Sequence, residues 1–473
     1  MPERAPGPNE TLSALLAEAG WSPRALAREI NLLFGAGTVA ATAPYHWRDD
    51  GRVPYAPVSA MAAHALSLRL GRTITTGYLW GGRADDCPTL LPSTSGMTGP
   101  WTVRSTRAIA SDWLAGGLLD RRRFLAMSGH ALANAVWLYL TAGAPDAGRL
   151  ASELEDSSHP VVTHLQQSIP LLQRLDDAAG GAANLGYVGA QVRAAALVVH
   201  EGGHGQKVSR QLLTAFADLG QLAGWMAFDA GQHGLAQRYF LTALRAAHNA
   251  GYQSMSAHVL ADMAFQAATR GDPADGIAFG EAAVRAASGG PASVKATVLS
   301  RLAYCYASAG RVSDFGRARC SALEVLNRRA TAGEPEWLYF LTANHLDCQA
   351  GYALINLGRH QAAAGDRVAG RAALREGAAL LRTGAYARPL DDESSQRRAL
   401  FEGAWLALGY AEQGKLEDAC DIGRVAMQRL TKVASPRSTA VLWDLRTSLR
   451  RRTRNVHVAD FLPDLEQALA TAT

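Results

Sequence analysis

The sequence predicts an all-α protein: a small helix-turn-helix domain followed by an α-solenoid of tetratricopeptide-like helical hairpins. Two observations carry this. From about residue 104 onward nearly every segment is rich in Ala, Leu and Arg with helical periodicity, broken only by short Gly or Pro loops, and no stretch alternates as a half-buried strand does. Short glycine-marked turns then recur through the second half at Gly231, Gly271, Gly310, Gly358 and Gly414, spaced 40, 39, 48 and 56 residues apart. With 473 residues, 48% of them hydrophobic and 19% charged, the chain buries a large core and is not a disordered polymer.

Three regions follow in order. Residues 10–83 hold short helical segments separated by Gly and Pro, and residues 84–103 are rich in Pro, Gly, Ser and Thr and read as a linker. Residues 104–473 form the helical body. Within it each turn glycine has a small residue seven positions earlier: Gly224, Ala264, Ala303, Gly351 and Ala407. Small residues let the two helices of a hairpin approach closely, and glycine permits the tight turn between them. One position beyond the small residue stand Trp225, Phe265, Tyr304, Tyr352 and Leu408. This pattern resembles the tetratricopeptide repeat, with loops longer than the ~34-residue consensus. The resemblance implies stacked pairs with a concave surface and places those five residues on its inner face. Polar candidates on the same face are Asp218, Gln221, Asp229, His258, Thr297, His345 and Asn356. The expected occupant is a peptide or small-molecule effector, or a protein partner. The competing expectation is that neighbouring coils or a terminal helix already fill the groove.

A net charge of +5, from 47 basic and 42 acidic residues, excludes a protein that coats nucleic acid by bulk charge. Any such contact must be local. Residues 20–83 carry seven arginines and three acids, a local charge of +4. In that region Ser22 and Pro23 form a helix start, and Leu26 and Ile30 lie one turn apart. The segment from Pro44 to Pro54 follows, with Trp47, Gly51 and Pro54. These residues are similar to the Xre/lambda-repressor-like helix-turn-helix, in which Leu26-Ala27 matches the second helix and Trp47, Gly51 and Pro54 the end of the third. The interval from Leu26 to Trp47 is about seven residues longer than in that fold, and Arg48 replaces the usual acid. The resemblance implies double-stranded DNA as partner, read by Thr42, Tyr45, His46 and Arg48, with Arg24, Arg28 and Arg52 on phosphates. Trp47 is expected in the core. Paired half-sites make a homodimer the expected state.

The whole chain resembles multidomain bacterial regulators that join a divergent Xre-like domain to a tetratricopeptide-like body. The likeness is carried by Trp80-Gly-Gly82, Arg121-Arg-Arg-Phe-Leu125 and the run from Ala223 to Gly231 continuing to Ala236–Phe240. It implies a transcriptional regulator; the alternative is a scaffold that does not bind DNA and keeps a vestigial first domain.

Enzyme readings fare poorly. His200-Glu-Gly-Gly-His204 matches the HExxH zinc motif, but Gly202, Gly203 and Gly205 make the segment a loop rather than the rigid helix that motif needs. No nucleophile-elbow, phosphate-loop or dinucleotide signature is present, and no cofactor is expected. Five scattered cysteines, without CxxC spacing, suggest neither disulfides nor a thiolate metal site. The first ten residues lack an apolar core of the signal-peptide kind, and the twin-arginine-like segment at 120–141 reads as an internal helix. The cytoplasm, with no membrane partner, is the expected location. Five arginines between Arg446 and Arg454 read as a solvated helix end.

Overall fold

The computed structural model describes residues 7–34, 39–54, 58–70, 74, 76–80, 101–114, 139–140, 160–328 and 333–471. All regular structure among them is helical. The chain divides into two compact units, Met1–Gly143 and Ala144–Thr473. Within the linker predicted at 84–103, residues 84–100 lie outside the described residues, as does nearly all of 120–141.

The first unit contains α1 (Glu10–Ala19), α2 (Pro23–Phe34), α3 (Ala43–Asp49), α4 (Val58–Leu70), α5 (Thr76–Trp80) and α6 (Val103–Leu114). Its helix starts follow from capping chemistry. The Asn9 side chain accepts from Leu12 N at 2.9 Å, and Ser22 Oγ accepts from Ala25 N at 3.1 Å ahead of Pro23. Asn31 clamps the returning chain, its carboxamide donating to Val39 O at 2.8 Å and accepting from Val39 N at 2.9 Å. Leu12, Leu16, Leu26, Ile30, Leu66 and Leu79 close a common core around α1–α5. Trp47 is buried there, edge-on to Trp80 at 6.1 Å, as its sequence context predicts.

The second unit opens with α7 (Pro160–Ala179) and α8 (Gly181–Glu201). Five consecutive pairs follow: α9 (Gln206–Asp229) with α10 (His233–Ala250), α11 (Gln253–Thr269) with α12 (Pro273–Ala286), α13 (Ala292–Ser308) with α14 (Val312–Asn327), α15 (Ala343–Ala363) with α16 (Arg367–Leu381), and α17 (Gln396–Gln413) with α18 (Leu416–Arg429). The last two helices are α19 (Pro436–Leu449) and α20 (Val456–Thr471). α8 is long and apolar enough to cross a bilayer, yet Val188, Val192, Ala195, Ala196 and Val199 are buried as it packs on α7 and α9. It ends at Glu201, so His204 falls in the loop with Gly202 and Gly203, and the two imidazoles of the HExxH string do not share a helix face.

The turn glycines Gly231, Gly271, Gly310 and Gly414 all have φ between 72° and 91°, the left-handed conformation the repeat pattern requires. Gly358 does not. It sits inside α15, and the fourth turn is made by Gly365 with φ 96°. The turn lies seven residues beyond the position that the repeat pattern indicates, because α15 carries glycine at both 351 and 358. Both are packing positions: a Cβ on Gly351 would lie 3.0 Å from Gly377 O, and one on Gly358 would lie 2.8 Å from Gly370 O. The backbones of α15 and α16 are thus in near contact.

The unit also closes on itself. α7 packs against α17, and α9 against α19. Ala434 N donates to Ala179 O at 2.8 Å, and Ala182 N donates to Ala434 O at 3.2 Å, so the start and end of the array share backbone hydrogen bonds. The open concave groove expected from the repeats is instead a chamber ringed by the first helix of each pair.

Candidate functional site

On the first unit, the residues proposed to read DNA lie along the exposed side of α3. Thr42 precedes its first turn, Tyr45 and His46 are exposed, and Arg48 is half-buried beside them, its guanidinium 5.4 Å from the Tyr45 ring centroid. Acids share this surface. Arg48 makes a two-pronged contact with Asp49 at 2.7 and 3.0 Å, His46 Nδ1 lies 2.9 Å from Asp50, and Arg52 lies 3.5 Å from the same carboxylate. The Arg48 contact holds Asp49 below the usual carboxylate range. Arg24 and Arg28 are exposed on α2 and have no carboxylate partner among the described residues. With Ser22, Asn31 and Ala41 they border a cleft of about 530 Å³.

The second unit encloses a cavity of about 110 Å³ among α7, the inner helices α9, α11, α13, α15, α17 and α19, and the segment around Trp337–Phe340. One wall is an aromatic ladder. Trp225 stacks on Phe265 (6.3 Å, 19°), Phe265 meets Tyr304 at 4.6 Å, Tyr304 meets Tyr352 at 5.7 Å, and Tyr352 meets Phe401 at 5.2 Å. The predicted stripe therefore exists, except at its end. Leu408 is buried on α17, and Phe401 and Trp405 continue the ladder in its place.

Of the predicted groove residues, Gln221, Trp225, His258, His345 and Tyr352 line the cavity, while Phe265 and Tyr304 form the ladder behind it. Four others lie elsewhere. Thr297 is buried, its hydroxyl donating to Ser293 O at 2.9 Å, and Asn356 donates to Ser308 Oγ at 3.3 Å. Asp229 accepts from Gly181 N (3.1 Å), Ser435 Oγ (2.8 Å) and Arg437 Nε (3.0 Å), which makes it the clasp between the two ends of the array. Asp218 is partly buried beside Tyr252, whose oxygen accepts from Trp337 Nε1 at 2.7 Å, so this aspartate steadies a cavity wall from behind. Burial lifts its carboxyl to about 7.

The charged side chains of the cavity escaped sequence reasoning. Arg301, Arg397, Arg398 and Arg437 face it together with Asp176, Asp177, Asp262 and Glu402. Arg437 pairs with Asp229 and lies 4.0 Å from the Phe401 ring centroid, and Arg397 reaches Asp176 and Asp177 at 3.1 Å each. Arg301 stands 4.3 Å from the Phe265 ring centroid and 3.7 Å from Asp262. Burial pushes the Glu402 and Asp176 carboxyls up, Asp176 also through Asp229 and Asp177, while Arg398 and Arg397 pull the other way. Burial and the nearby Arg398, Arg301 and Arg397 keep His345 neutral, well below the usual imidazole range. His258, against Trp337 at 4.5 Å, is depressed mainly by burial. Several polar atoms here have no hydrogen-bond partner among the described residues: Arg301 Nε, Asp176 Oδ1, Asp262 Oδ1 and His258 Nδ1, while Arg397 Nε and Arg398 Nε meet Asp176 and Glu402 at 3.1 Å as ion pairs without hydrogen-bond geometry. Buried polar groups left unpaired cost about 1–3 kcal/mol each, so their concentration at one cavity marks a place built to receive a polar group.

Residues 12–79 match the SP15 N-terminal domain family. This span covers α1 to α5, except for the ends of α1 and α5, and stops short of the helical body. No curated protein matches the chain. Among the described residues no group of three or more His, Cys, Asp or Glu is arranged to hold a metal ion. At the C-terminal arginine cluster, Arg446 and Arg450 face Glu466 of α20 at 2.8 and 3.8 Å, and Arg452 folds back onto Ser448.

Proposed function

We propose that the protein is a cytoplasmic, homodimeric transcriptional regulator, with an Xre-like first domain that binds double-stranded DNA and a tetratricopeptide-like body that senses a ligand. The observation that carries this reading is the surface of α2 and α3: exposed side chains able to meet base edges on α3, flanked by two arginines on α2 with no carboxylate partner among the described residues. The cavity in the body supplies the sensing half. Cys305, Cys348 and Cys420 are buried free thiols, which suits a reducing compartment.

Replacing Arg24 and Arg28 with alanine is expected to weaken DNA binding about equally for all sequences. It should also reduce the slope of log affinity against log salt by about 1.8, two phosphate contacts at roughly 0.9 each. A shift assay at several salt concentrations reads this, and an unchanged slope removes the phosphate role. The acids beside α3 favour the alternative, a scaffold that does not bind DNA, because Asp49 and Asp50 neutralise Arg48 and Arg52. Under the regulator reading, Asp49→Asn with Asp50→Asn frees both cations and tightens DNA binding at low salt; a scaffold shows no binding before or after. For the dimer, a monomer at micromolar concentration both with and without DNA contradicts the paired half-site arrangement.

A further inference from the structure

The cavity in the body is closed around unequal arginines. Arg437 and Arg397 are engaged by carboxylates at 3.0–3.1 Å. Arg301 is not: its nearest acid is 3.7 Å away, its Nε has no acceptor, and its side chain is 7% exposed. Arg398 Nε lies 3.1 Å from the Glu402 carboxylate as an ion pair without hydrogen-bond geometry, and one terminal nitrogen sits 3.2 Å from His345 Nδ1. Arg301, Arg397, Arg398 and His345 all line this cavity, and burial together with the three guanidiniums depresses the imidazole. A guanidinium cannot shed its proton to escape burial, and its planar fork matches a carboxylate. The four arginines face four lining acids and the Asp229 carboxylate behind Arg437; burial biases Glu402 and Asp176 toward their neutral forms, so three carboxylates stand against four guanidiniums and leave room for one negative charge rather than the two of a phosphate dianion. The wall beside the arginines is aromatic.

We propose that the chamber is a receptor for an organic monocarboxylate, its acid group seated between Arg301 and Arg398 and its apolar stem lying along Trp225, Tyr352 and Phe401. A wider cavity of about 720 Å³ shares Asp177, Tyr339, Phe340, Ser395 and Arg398 with the chamber and forms its entrance. Ser395 is the one described non-glycine residue with positive φ (62°), so the rim of that entrance is held in a strained conformation. The loop behind it is pinned by the buried Arg429, which donates to Gln396 Oε1 at 3.1 Å and to Arg388 O at 2.5 Å. The same carboxylate chemistry is offered by a free small acid or by the C-terminus of a peptide whose remaining residues occupy the entrance. This assignment names the effector class of the sensor proposed above and rests on that reading.

The experiment compares, on the full-length protein, a series of carboxylic acids from acetate to phenylpropionate with the corresponding primary amides, and short phenylalanine-terminated peptides with free and amidated C-termini. Tryptophan fluorescence and thermal shift read binding, and a DNA shift assay is run on the same sample. At least one acid or free peptide is expected to bind about tenfold or more tightly than its amide, because the amide leaves the guanidinium donors poorly matched. Arg301→Gln and Arg398→Gln should each remove that preference, and Arg398→Lys should restore part of it. Preference for small acids identifies a free acid as ligand; preference confined to free peptides identifies a C-terminus. If no acid or peptide binds wild-type protein more tightly than its amide, the proposal is overturned, and this comparison needs no variant to fold. Carboxylate binding without any DNA shift keeps the receptor and removes the regulator. A DNA shift without carboxylate preference does the reverse.

Discussion

Asp229→Ala is expected to destabilise the helical body by about 3–5 kcal/mol, the range for leaving one partner of a buried ion pair uncompensated. Asp229 is fully buried and holds three donors from distant parts of the chain: the backbone of Gly181, the Ser435 hydroxyl and the Arg437 guanidinium. Arg437 in turn is 7% exposed, among the rings of Trp225, Phe228 and Phe401. Those rings offset some of the cost of burying a cation, but they supply no hydrogen-bond acceptor, so removing the carboxylate strands the charge. Denaturant unfolding measures the loss. Limited proteolysis should find new cleavage near residues 430–436, where the last helices join the first. Asp229→Asn, which keeps an acceptor but not the charge, should fall between the two proteins. A loss below about 1 kcal/mol for the alanine variant means that the ring is closed by other contacts.

The second large effect concerns pH. Asp218 has a folded-state carboxyl at about 7 against an ordinary 3.8, with burial as the main cause and the Tyr252 hydroxyl opposing it. The folded protein therefore binds this proton more tightly than the unfolded chain. The resulting stability is fully present below pH 4, is lost as pH rises toward 7, and is gone above it. A carboxyl lifted that far corresponds to about 4 kcal/mol of preference for the protonated form. Asp218→Asn should stabilise the protein by up to about that amount at pH 8 and change little at pH 4, because an amide resembles the protonated acid. Urea unfolding at the two pH values checks this; an equal effect at both rules out the titration. Since Tyr252 also accepts from Trp337, the variant should alter the fluorescence of that cavity tryptophan in the same pH range.

The helical class and the first-domain start signal were legible because they are local: Ser22 and Pro23 act within one turn. The aromatic ladder was legible through its place one residue beyond each small packing position. Part of the cavity's polar lining that sequence reasoning missed does carry a signal, at a different offset from the polar positions expected to line the groove. Asp262, Arg301, Gln349 and Arg398 each stand three residues before a ladder aromatic, on the same helix face, and all line the chamber. Thr297, seven residues before Tyr304, turns into the backbone of its own helix instead. What the sequence did not carry was closure. A repeat pattern specifies how neighbours pack but not the rotation accumulated over five pairs, and the contacts that join the ends, Asp229 with Ser435 and Ala434 with Ala179, pair residues more than 200 positions apart. The fourth turn was misplaced because α15 repeats glycine at an interval of seven.

The most direct measurement is selection of fragments from the genome that encodes this protein, using the purified full-length chain at physiological salt. The account predicts one recovered sequence motif with paired half-sites. Arg24→Ala with Arg28→Ala should weaken capture, and Thr42→Ala or His46→Ala should alter the motif. Recovery of no motif, with fragments captured only in proportion to their length, contradicts it.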